Sequence, residues 1–458
     1  MKVLKFGGTS VGTAENLLNV KRIVESVDDN VIVVVSALGG ITDKLIETSR
    51  LAAAGDIAYE KSMTEIITRH WDIVSEVVPM GESREGLIDC LNALFEELHA
   101  LYKQVFETET LSVVRQAAIV SFGERLSSNI VSCAIEDAVW YDSLSFIKTE
   151  MKHCKWVLDG EETNRLIHET FVELPKVALV SGFISTDKTT GEITNLGRGG
   201  SDYTAAILAA ALDADCLEIW TDVNGFMTAD PRVITSALPI QELSYNEAEE
   251  LAKFGAKVIY LPTIYPVWYK QIPILIKNTM NPDASGTCIK HCIDECSNPI
   301  KGISFIRESC LLTIHGLDKN RISSLSHQLV QSLLDECVNL LVVPDNAGET
   351  SFSIGVKQED VECASRLLTR ILSECRIADF NIQCESDLSI IAVVGEYLEA
   401  SLSDKLFSLM KEKEIHVMAV SQGNSMTHAC MVENKQLLPA LELIHGTLFY
   451  SHLVGTCC

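Results

Sequence analysis

The sequence predicts a large α/β domain with a mostly parallel central sheet flanked by helices, followed by two small α+β domains. Three observations support this fold class. Short runs rich in Val, Ile and Leu alternate with segments of helical period before a turn-rich stretch at 280–287. Two units with the same order of elements follow that stretch. The chain has 458 residues, which is enough for about three domains with separate cores.

Apolar runs of strand length mark the sheet of the large domain. They are residues 2–6, 31–37, 177–184, 216–222 and 273–277. Residues 13–27 repeat apolar side chains at spacings of three and four, which predicts an amphipathic helix between the first two strands. Residues 59–116 are amphipathic and poor in strand signals, and they predict several packed helices. Strands that alternate with helices favour a sheet that is buried on both faces.

The two later units share the order β-α-β-β-α, which is the pattern of a split βαβ fold. In the first unit, strands are predicted at 310–316, 338–344, 351–356 and 380–385, with helices ending near 336 and at 359–374. In the second unit, strands are predicted at 388–396, 415–421 and 428–433, with helices at 400–412 and 435–448. The predicted domains are therefore 1–295, 303–386 and 387–458.

The overall charge excludes two classes of partner. The chain carries 37 basic and 63 acidic side chains, a net charge of −26. Because nucleic acids and anionic membranes are bound through basic patches, we expect neither as a partner. No segment has the ~20 consecutive apolar residues of a membrane span, and the N-terminus MKVLKFGGTS lacks the apolar stretch of a signal peptide. We therefore expect a cytoplasmic protein.

The cysteines predict reduced thiols. There are 15 of them, an odd number without regular spacing, as in proteins of a reducing compartment. The one cluster consists of Cys288, Cys292 and Cys296. A zinc site needs a fourth ligand and usually a C-x-x-C pair, and this cluster has neither. Free cysteines in a connecting segment are therefore favoured over a metal site.

The first candidate ligand site is KFGGTS at residues 5–10, at the end of the first predicted strand. Its two glycines allow an anion to approach the backbone, the following helix start offers N–H groups, and Lys5 adds a positive charge. An ordinary strand-to-helix turn is the structural alternative. Any phosphate that this acidic protein binds must be held by local groups of this kind.

The second candidate site is GRGGSD at residues 197–202, directly before an alanine-rich helix. Ser201 is the predicted N-cap of that helix, and Arg198 offers a planar fork for a carboxylate or phosphate. Asp202 is either part of the site or a first-turn acid that favours the helix dipole. An arginine among three glycines favours ligand binding, because glycine costs backbone order.

Further motifs also place polar or charged residues at strand ends or helix starts. Thr221 and Asp222 end an apolar strand, where ligands of open α/β sheets bind, and Arg232 and Lys257 are within reach in sequence. Surface ion pairing or plain exposure is the alternative for these two cations. Glu124, in SFGER, is either a substrate-recognising acid or a helix-start acid. Ser244 and Glu247 have the spacing of a capping box and are predicted to be structural.

Taken in order, KFGGTS, SFGERLSS, GRGGSDYTAA, TDVNGFMTADPR and FGAK resemble the motifs of aspartate kinases, within the amino-acid kinase family. The two C-terminal units resemble the paired ACT domains of these enzymes, which have a ferredoxin-like fold. The resemblance covers nearly the whole chain and implies an amino-acid kinase fold. It also implies a monofunctional enzyme, because the chain ends where the second small unit ends.

The resemblance assigns roles to individual residues. It makes Lys5 and Asp202 catalytic, with Lys5 over the transferred γ-phosphoryl group. The implied substrate-binding residues are Thr42, Glu124, Arg198 and Ser201. The implied ATP-binding residues are Lys5, Gly7, Gly8, Thr221, Asp222, Arg232, Lys257 and Val258. Mg²⁺ is expected to arrive with ATP, without a separate metal site.

The implied regulation is feedback by lysine or threonine in a homodimer formed through the ACT domains. Parts of the chain depart from the family pattern, including residues 322–325, which lack the usual start of the first ACT helix. Met227 stands where many relatives have tyrosine, Tyr260-Leu261 replaces the usual His-Pro, and residues 339–344 replace an acidic residue and Thr-Ser-Glu of lysine-sensitive relatives. We therefore expect the adenine contacts and the effector pocket to differ more from the relatives than the phosphate contacts do.

The implied reaction transfers the ATP γ-phosphate to the β-carboxylate of L-aspartate, the first step of lysine, threonine and methionine biosynthesis. A carboxylate with a pKa near 3.9 is ionised at pH 7, so its attack needs no general base. Catalysis then depends on positioning and on charge neutralisation. Two alternatives are a kinase of the same fold for glutamate, N-acetylglutamate or a nucleoside monophosphate, and an amino-acid sensor with an inert kinase domain.

Overall fold

The computed structural model describes residues 1–152, 155–256, 258–260, 263–291, 299–317, 319–336, 338–344, 351–375, 377, 379–424 and 426–450. The strands are β1 (Lys2–Phe6), β2 (Val31–Val35), β3 (Ala138–Tyr141), β4 (Lys148–Lys152), β5 (Lys155–Leu158), β6 (Val177–Ser181), β7 (Ile184–Asp187), β8 (Ile193–Asn195), β9 (Cys216–Thr221), β10 (Glu242–Ser244), β11 (Ile274–Asn278), β12 (Thr287–Lys290), β13 (Ile300–His315), β14 (Leu340–Val342), β15 (Ser351–Lys357), β16 (Asn381–Gly395), β17 (Val417–Asn424) and β18 (Thr427–Glu433). The helices are α1 (Gly8–Val11), α2 (Ala14–Glu25), α3 (Ile41–Ala53), α4 (Ala58–Val77), α5 (Glu82–Thr108), α6 (Val113–Ala134), α7 (Gly160–Thr170), α8 (Gly200–Ala211), α9 (Tyr245–Lys253), α10 (Ile264–Tyr269), α11 (Lys319–Asp335), α12 (Val361–Glu374), α13 (Ala400–Glu412) and α14 (Leu437–His445).

The chain folds into two compact units. The first comprises Met1–Phe226 and Val258–Cys292, and the second comprises Met227–Lys257 and Ile293–Cys458. This grouping differs from the predicted boundary at 295, because residues 227–257 pack with the C-terminal part of the chain. The predicted domain boundaries, at 295, 303–386 and 387–458, therefore stay a prediction.

The first unit is built on a mostly parallel sheet, as the sequence predicts. Its strands lie in the order β12-β11-β9-β1-β2-β6-β3, with only β12 antiparallel among these pairings. Every residue of β2 and of β6 is buried, which explains their continuous apolar sequences VIVVV and VALVS. The carboxyl ends of β1, β2, β6 and β9 therefore meet at one edge of the sheet.

Three long helices, α4, α5 and α6, account for the segment predicted to be helical at 59–116 and extend beyond it. Their apolar stripes pack with β1 and β2 in one core. Leu98, Tyr102 and Phe122 are among its fully buried side chains. A smaller sheet with the order β5-β4-β7-β8 completes the unit and carries Asn195 at its last strand end. None of the helices in the described part of the chain is long and apolar enough to cross a membrane.

The second unit contains an antiparallel sheet with the order β14-β15-β13-β16-β18-β17. The strands predicted separately at 380–385 and 388–396 form one continuous strand, β16, and the strand predicted at 310–316 is the second half of β13. The first half of β13 pairs with the second half of β16, and the second half of β13 pairs with the first half. Each half-sheet carries two helices, so the two predicted α+β units are present but share their central strands.

Residues 227–257 pack against this second sheet. The Ile303 N–H of β13 donates to the Thr228 carbonyl at 2.8 Å, and Phe254 packs with apolar residues of β13, β16 and β18. α9 begins with the predicted capping box, in which Ser244 and Glu247 bond each other's backbone N–H groups. The segment is thus part of the core of the second unit.

Candidate active site

The loops after β1 and β2 are held together at the carboxyl edge of the parallel sheet. The Gly39 N–H donates to the Gly8 carbonyl at 2.9 Å. A Cβ on Gly8 would lie 3.0 Å from the Ala37 carbonyl oxygen, so a side chain there would push the loops apart. The predicted KFGG motif therefore uses a glycine at a close approach of two backbones, and α1 begins at Gly8.

A cavity of about 530 Å³ opens at this edge, within the size range of small-molecule sites. It lies near the centre of the sheet, beside β1, whose two neighbours are β9 and β2. The connections from adjacent strands leave in opposite directions at such a point, and ligands of open α/β sheets bind there. Seven of the residues predicted for the site line it together: Lys5, Gly8, Thr42, Glu124, Arg198, Ser201 and Asp202. All of them belong to the first unit.

Lys5 and Asp202 form an ion pair inside the cavity. Lys5 Nζ lies 2.5 Å from Asp202 Oδ1, and the two side chains are 11% and 14% exposed. Lys5 comes from the carboxyl end of β1, and Asp202 comes from the first turn of α8. The lysine is therefore held in one position, with its charge at the site instead of in bulk water.

Glu124 is a buried acid of the cavity with one unsatisfied carboxylate oxygen. It lies in the middle of α6, so the alternative of a helix-start acid is wrong. Its Oε1 accepts the Ala37 N–H at 3.1 Å, whereas Oε2 has no hydrogen-bond partner among the described residues. Burial raises the pKa of Glu124 to about 8, and the nearby Lys5 charge opposes this only in part. A cation that entered the cavity would satisfy the open oxygen and favour the ionised carboxylate.

The loop that carries Arg198 is shaped by glycine. Gly199 has a left-handed backbone with φ of 71° and is the residue that caps α8, so the prediction of Ser201 as N-cap is wrong. The Tyr260 ring lies directly against Gly199, and a Cβ there would overlap it. The helix therefore starts before Ser201, which instead packs against Gly182 at the cavity wall. Arg198 is exposed at the cavity mouth.

The remaining predicted ATP residues lie outside the lining of this cavity. The Gly7 N–H donates to the Trp220 carbonyl at 3.2 Å, which brings Thr221 at the end of β9 beside the β1 loop. Asp222 is exposed and accepts from the Thr221 hydroxyl at 3.2 Å. Val258 is half-buried in the first unit.

Two predicted ATP-binding cations are not brought into the cavity. Arg232 belongs to the second unit, where it pairs with Asp230. Lys257 lies outside the described residues. Both stay predictions.

Sequence reasoning missed several residues that line the cavity. They are Ser36, Ala37, Leu38, Gly39 and Gly40 after β2, Asp43 in α3, and Phe183 and Asn195. A usable signal was present for the first group, because SALGG follows a buried strand as KFGG does. No local signal marks Phe183, whose φ of 68° places it at a turn beside Gly200.

The sequence model of the amino acid kinase family matches residues 1–278 of the chain. The chain belongs to the amino acid kinase family. This places β1, the cavity and the strands up to β11 within the matched region. The fold predicted from the motifs is thereby confirmed.

This amino acid kinase family member is similar to aspartokinases over 98% of its length. It is 30% identical to a bifunctional aspartokinase/homoserine dehydrogenase of Buchnera aphidicola, of which it covers 57%, and 27% identical to the chloroplastic aspartokinase 1 of Arabidopsis thaliana, of which it covers 80%. The chain thus spans little more than half the length of the bifunctional relative. The predicted resemblance to aspartate kinases is confirmed.

Solved structures agree with this similarity. E. coli aspartokinase III in complex with aspartate and ADP is 25% identical, with a TM-score of 0.82, and 98% of this chain and all of that chain are covered. The aspartate kinase of Clostridium acetobutylicum is also 25% identical, with a TM-score of 0.80 and the same coverage. The E. coli enzyme in complex with lysine and aspartate has a TM-score of 0.75, over 98% of this chain and 99% of that one.

Among the residues that the structure describes, no group of three or more His, Cys, Asp or Glu side chains could hold a metal ion. Cys288 lies in β12 and is half-buried. Cys292 and Cys296 lie outside the described residues, so their state stays a prediction.

Proposed function

We propose that this chain is an aspartate kinase, which transfers the γ-phosphate of ATP to the β-carboxylate of L-aspartate to give 4-phospho-L-aspartate. The observation that carries the proposal is the charge arrangement of one cavity. A buried carboxylate with an open oxygen, Glu124, shares it with the Lys5–Asp202 ion pair and with Arg198. An α-amino dicarboxylate has complementary charges for these groups.

The amino-acid end of the substrate is matched by two groups. The guanidinium of Arg198 suits the α-carboxylate, because its planar fork can donate two parallel hydrogen bonds. Glu124 suits the α-ammonium, since a buried and half-satisfied carboxylate gains most from a cationic partner. The hydroxyls of Thr42 and Ser201, both in the cavity lining, are available as further donors.

The reaction itself needs no proton transfer from the protein. A carboxylate oxygen of aspartate bonds to the γ-phosphorus, the bond to the bridging oxygen breaks, and ADP leaves with the electron pair. Lys5 neutralises charge on the transferred group, and Asp202 holds Lys5 in place. The backbone amide of Gly8 adds a fixed dipole at the phosphate side.

Mg²⁺ fits this site as a metal carried by ATP. Magnesium in such sites is held by substrate phosphates and one or two carboxylates, and the described residues contain no metal-binding cluster of their own. Asp202 is the carboxylate of the cavity that would meet it. When bound, the ion supplies charge neutralisation at the phosphates. We further propose that Thr221, Asp222, Val258, Arg232 and Lys257 contact the nucleotide.

We also propose regulation through the second unit. Its two half-sheets have the pattern of paired ACT domains, and E. coli aspartokinase III has been solved with lysine. We therefore propose lysine or threonine as effector and a homodimer formed through these halves. A cytoplasmic location is proposed as well, which free thiols favour because disulfides are rare in reducing compartments.

The test is ADP formation by the purified chain with Mg-ATP and L-aspartate, L-glutamate, N-acetylglutamate, a nucleoside monophosphate or no acceptor. We expect turnover with aspartate alone, and trapping of the acyl phosphate with hydroxylamine would identify the product. The same assay with lysine or threonine tests the effector. Turnover with another acceptor, or amino-acid binding without turnover, would contradict the proposal.

A further inference from the structure

The peptide group between Ser36 and Ala37 lies at the wall of the cavity, directly after β2. Its N–H, on Ala37, donates to Glu124 Oε1 at 3.1 Å. Its carbonyl, on Ser36, accepts the Ser127 hydroxyl at 2.6 Å. Glu124 and Ser127 lie within one turn of α6, so the peptide group is bonded at both ends by side chains of the same helix turn.

Ser127 reaches this peptide group from behind the cavity wall. It is fully buried and is not among the residues that line the cavity. Its hydroxyl has one proton to donate, and the distance of 2.6 Å to the Ser36 carbonyl is shorter than the 3.4 Å to the Glu124 carbonyl. The Ser36 N–H donates to the Phe6 carbonyl of β1 at 3.1 Å. Ser36 is therefore held by β1 on one side and by α6 on the other.

The close approach of α6 to this peptide group depends on Gly123. A Cβ on Gly123 would lie 2.7 Å from the Cβ of Ala37, which is closer than two carbon atoms normally pack. The absence of a side chain at this position lets the helix bring Glu124 and Ser127 to hydrogen-bond distance. The glycine of the SFGER motif thus has a packing role beside the two polar residues.

The bond from Ala37 favours the charged form of Glu124. Burial raises the pKa of this carboxyl to about 8, and the hydrogen bond from the Ala37 N–H is the largest of the effects that oppose the rise. A donor to the carbonyl of a peptide group polarises that group and strengthens the bond that its N–H donates. The Ser127 hydroxyl therefore strengthens the bond from Ala37 to Glu124 and also fixes its direction.

We propose that Ser127 is a positioning residue for the amino-acid substrate: through the Ser36–Ala37 peptide group it holds the Glu124 carboxylate ready for the substrate ammonium. The inference rests on the proposed function, which pairs Glu124 with the α-ammonium of aspartate. Because Ser127 does not line the cavity, its effect on the substrate passes through Glu124. Loss of the Ser127 hydroxyl should therefore weaken aspartate binding and leave Mg-ATP binding and kcat unchanged.

The experiment compares two fully buried serines of α6. Ser127→Ala removes the bond to Ser36, whereas Ser121→Ala removes a bond of the same length to Ala118 within the helix itself. We expect Ser127→Ala to raise the KM and the calorimetric Kd for aspartate about fivefold at pH 7, with kcat and the KM for Mg-ATP unchanged. Ser121→Ala should leave all these constants as they are. Ser127→Cys, whose thiol is a weak donor, should fall between the wild type and Ser127→Ala.

A second measurement needs no substrate. The carboxyl-carbon NMR signal of Glu124, assigned by its loss in Glu124→Gln, reports the pKa of that group in the free protein. We expect Ser127→Ala to raise this pKa by about half a unit, because the charged form loses part of its hydrogen bonding. Ser121→Ala should leave it unchanged. The other charged groups of the cavity are the same in these two alanine variants, namely Lys5 of β1, Asp43 of α3, Asp202 of α8, and Arg198.

Equal effects of the two alanine variants on aspartate affinity, or an unchanged pKa of Glu124 in Ser127→Ala, would overturn the inference. Gly123→Ala is an independent variant, because its Cβ displaces Ala37 while Ser127 is retained, and it should show the same selective loss of aspartate affinity. A wild type that neither binds nor phosphorylates aspartate would refute the proposed function. The NMR titration would still decide whether Ser127 acts on Glu124.

Discussion

The two units bury polar groups in different ways. In the first unit, the cavity holds the Lys5–Asp202 ion pair and the carboxyl group of Glu124, whose Oε2 has no partner among the described residues. In the second unit, buried pairs such as Thr228–His445 and Thr313–Ser353 are neutral and mutually hydrogen-bonded, and the buried acid Glu247, whose Oε1 also has no partner among the described residues, lies in a helix cap. Buried charge is costly unless a partner arrives. The open oxygen of Glu124 lies in a cavity that a ligand can enter, whereas Glu247 and the neutral pairs of the second unit hold elements in place.

Removal of the buried ion pair should have the largest effect. Asp202→Asn leaves Lys5 without its partner, so we expect kcat to fall about 10³-fold, the range for loss of a group that orients transition-state charge. The pH profile should keep its shape, because Asp202 moves no proton in the proposed reaction. Steady-state kinetics between pH 6 and 9 check both points. Asp215→Asn, which removes an exposed carboxylate paired with the N-terminus, is the control with unchanged kcat. A displaced acidic limb would reveal an acid–base role for Asp202 instead.

The shape of the cavity also depends on one glycine, Gly199. Gly199→Ala combines a left-handed φ of 71° with overlap of the Tyr260 ring, so the Arg198 loop must move. We expect kcat/KM for aspartate to fall about 100-fold, since small displacements of positioning groups cost this much.

The matched control is Gly191→Ala, where φ is 72° but nothing lies within 4 Å of the added Cβ. This variant has only the backbone strain of about 1–2 kcal/mol, without any overlap of side chains. Kinetics and thermal unfolding of both variants separate strain from overlap. Similar losses of activity in the two would refute the role of the Tyr260 contact.

The open carboxylate gives a pH signature. Because Glu124 must ionise to hold an ammonium, and burial raises its pKa to about 8, the KM for aspartate should fall as the pH rises from 6.5 to 8. The fall should approach tenfold per pH unit well below the pKa. Glu124→Gln should raise the KM about tenfold and abolish this pH dependence.

Glu247→Gln is the control for a buried acid without this role. Burial also raises the pKa of Glu247, and its Oε1 likewise has no partner among the described residues, but its Oε2 accepts the Ser244 N–H in the capping box and it does not line the cavity. We expect no change in the KM for aspartate and only a loss of stability. A pH-independent KM in the wild type would exclude Glu124 as the ammonium partner.

His70 is a buried polar group of the first unit that does not belong to the cavity. It is a neutral group buried in the first unit, away from the cavity lining, and its Nε2 has no partner in the described part of the chain. Burial lowers its pKa to about 4, so its contribution to stability is complete above pH 6.5 and is lost as the pH falls towards 4. His70→Met should therefore raise Tm by a few degrees, and more at pH 5 than at pH 8.

Thermal unfolding at the two pH values checks this, with the exposed His168→Met as a control that changes little at either. Activity should be unaffected by both substitutions. A loss of turnover in His70→Met would show that a neutral buried group of the first unit also serves the site.

Most of the fold was predictable because its signals are local. The apolar runs at 2–6 and 31–37 match β1 and β2, and the helical segment 59–116 matches α4, α5 and the start of α6, which continues to Ala134. Glycine pairs after strands marked the cavity, since close backbone approaches demand them. The continuity of β16 across 385–388 was missed, because no local pattern joins the two apolar runs and Asp387 between them has a left-handed φ of 62°. Pairing with β13 decides it.

Local patterns in the chain were thus sufficient for the strands, the helices and most of the residues that meet at the cavity. The degree of burial of individual side chains and the division of the chain into two units were decided by tertiary structure alone. Glu124 acquires its raised pKa only because α6 packs it under the β2 loop, and residues 227–257 join the second unit only because α14 and β13 bind them. Both outcomes depend on contacts between residues far apart in sequence, and no local pattern encodes the desolvation that such contacts impose.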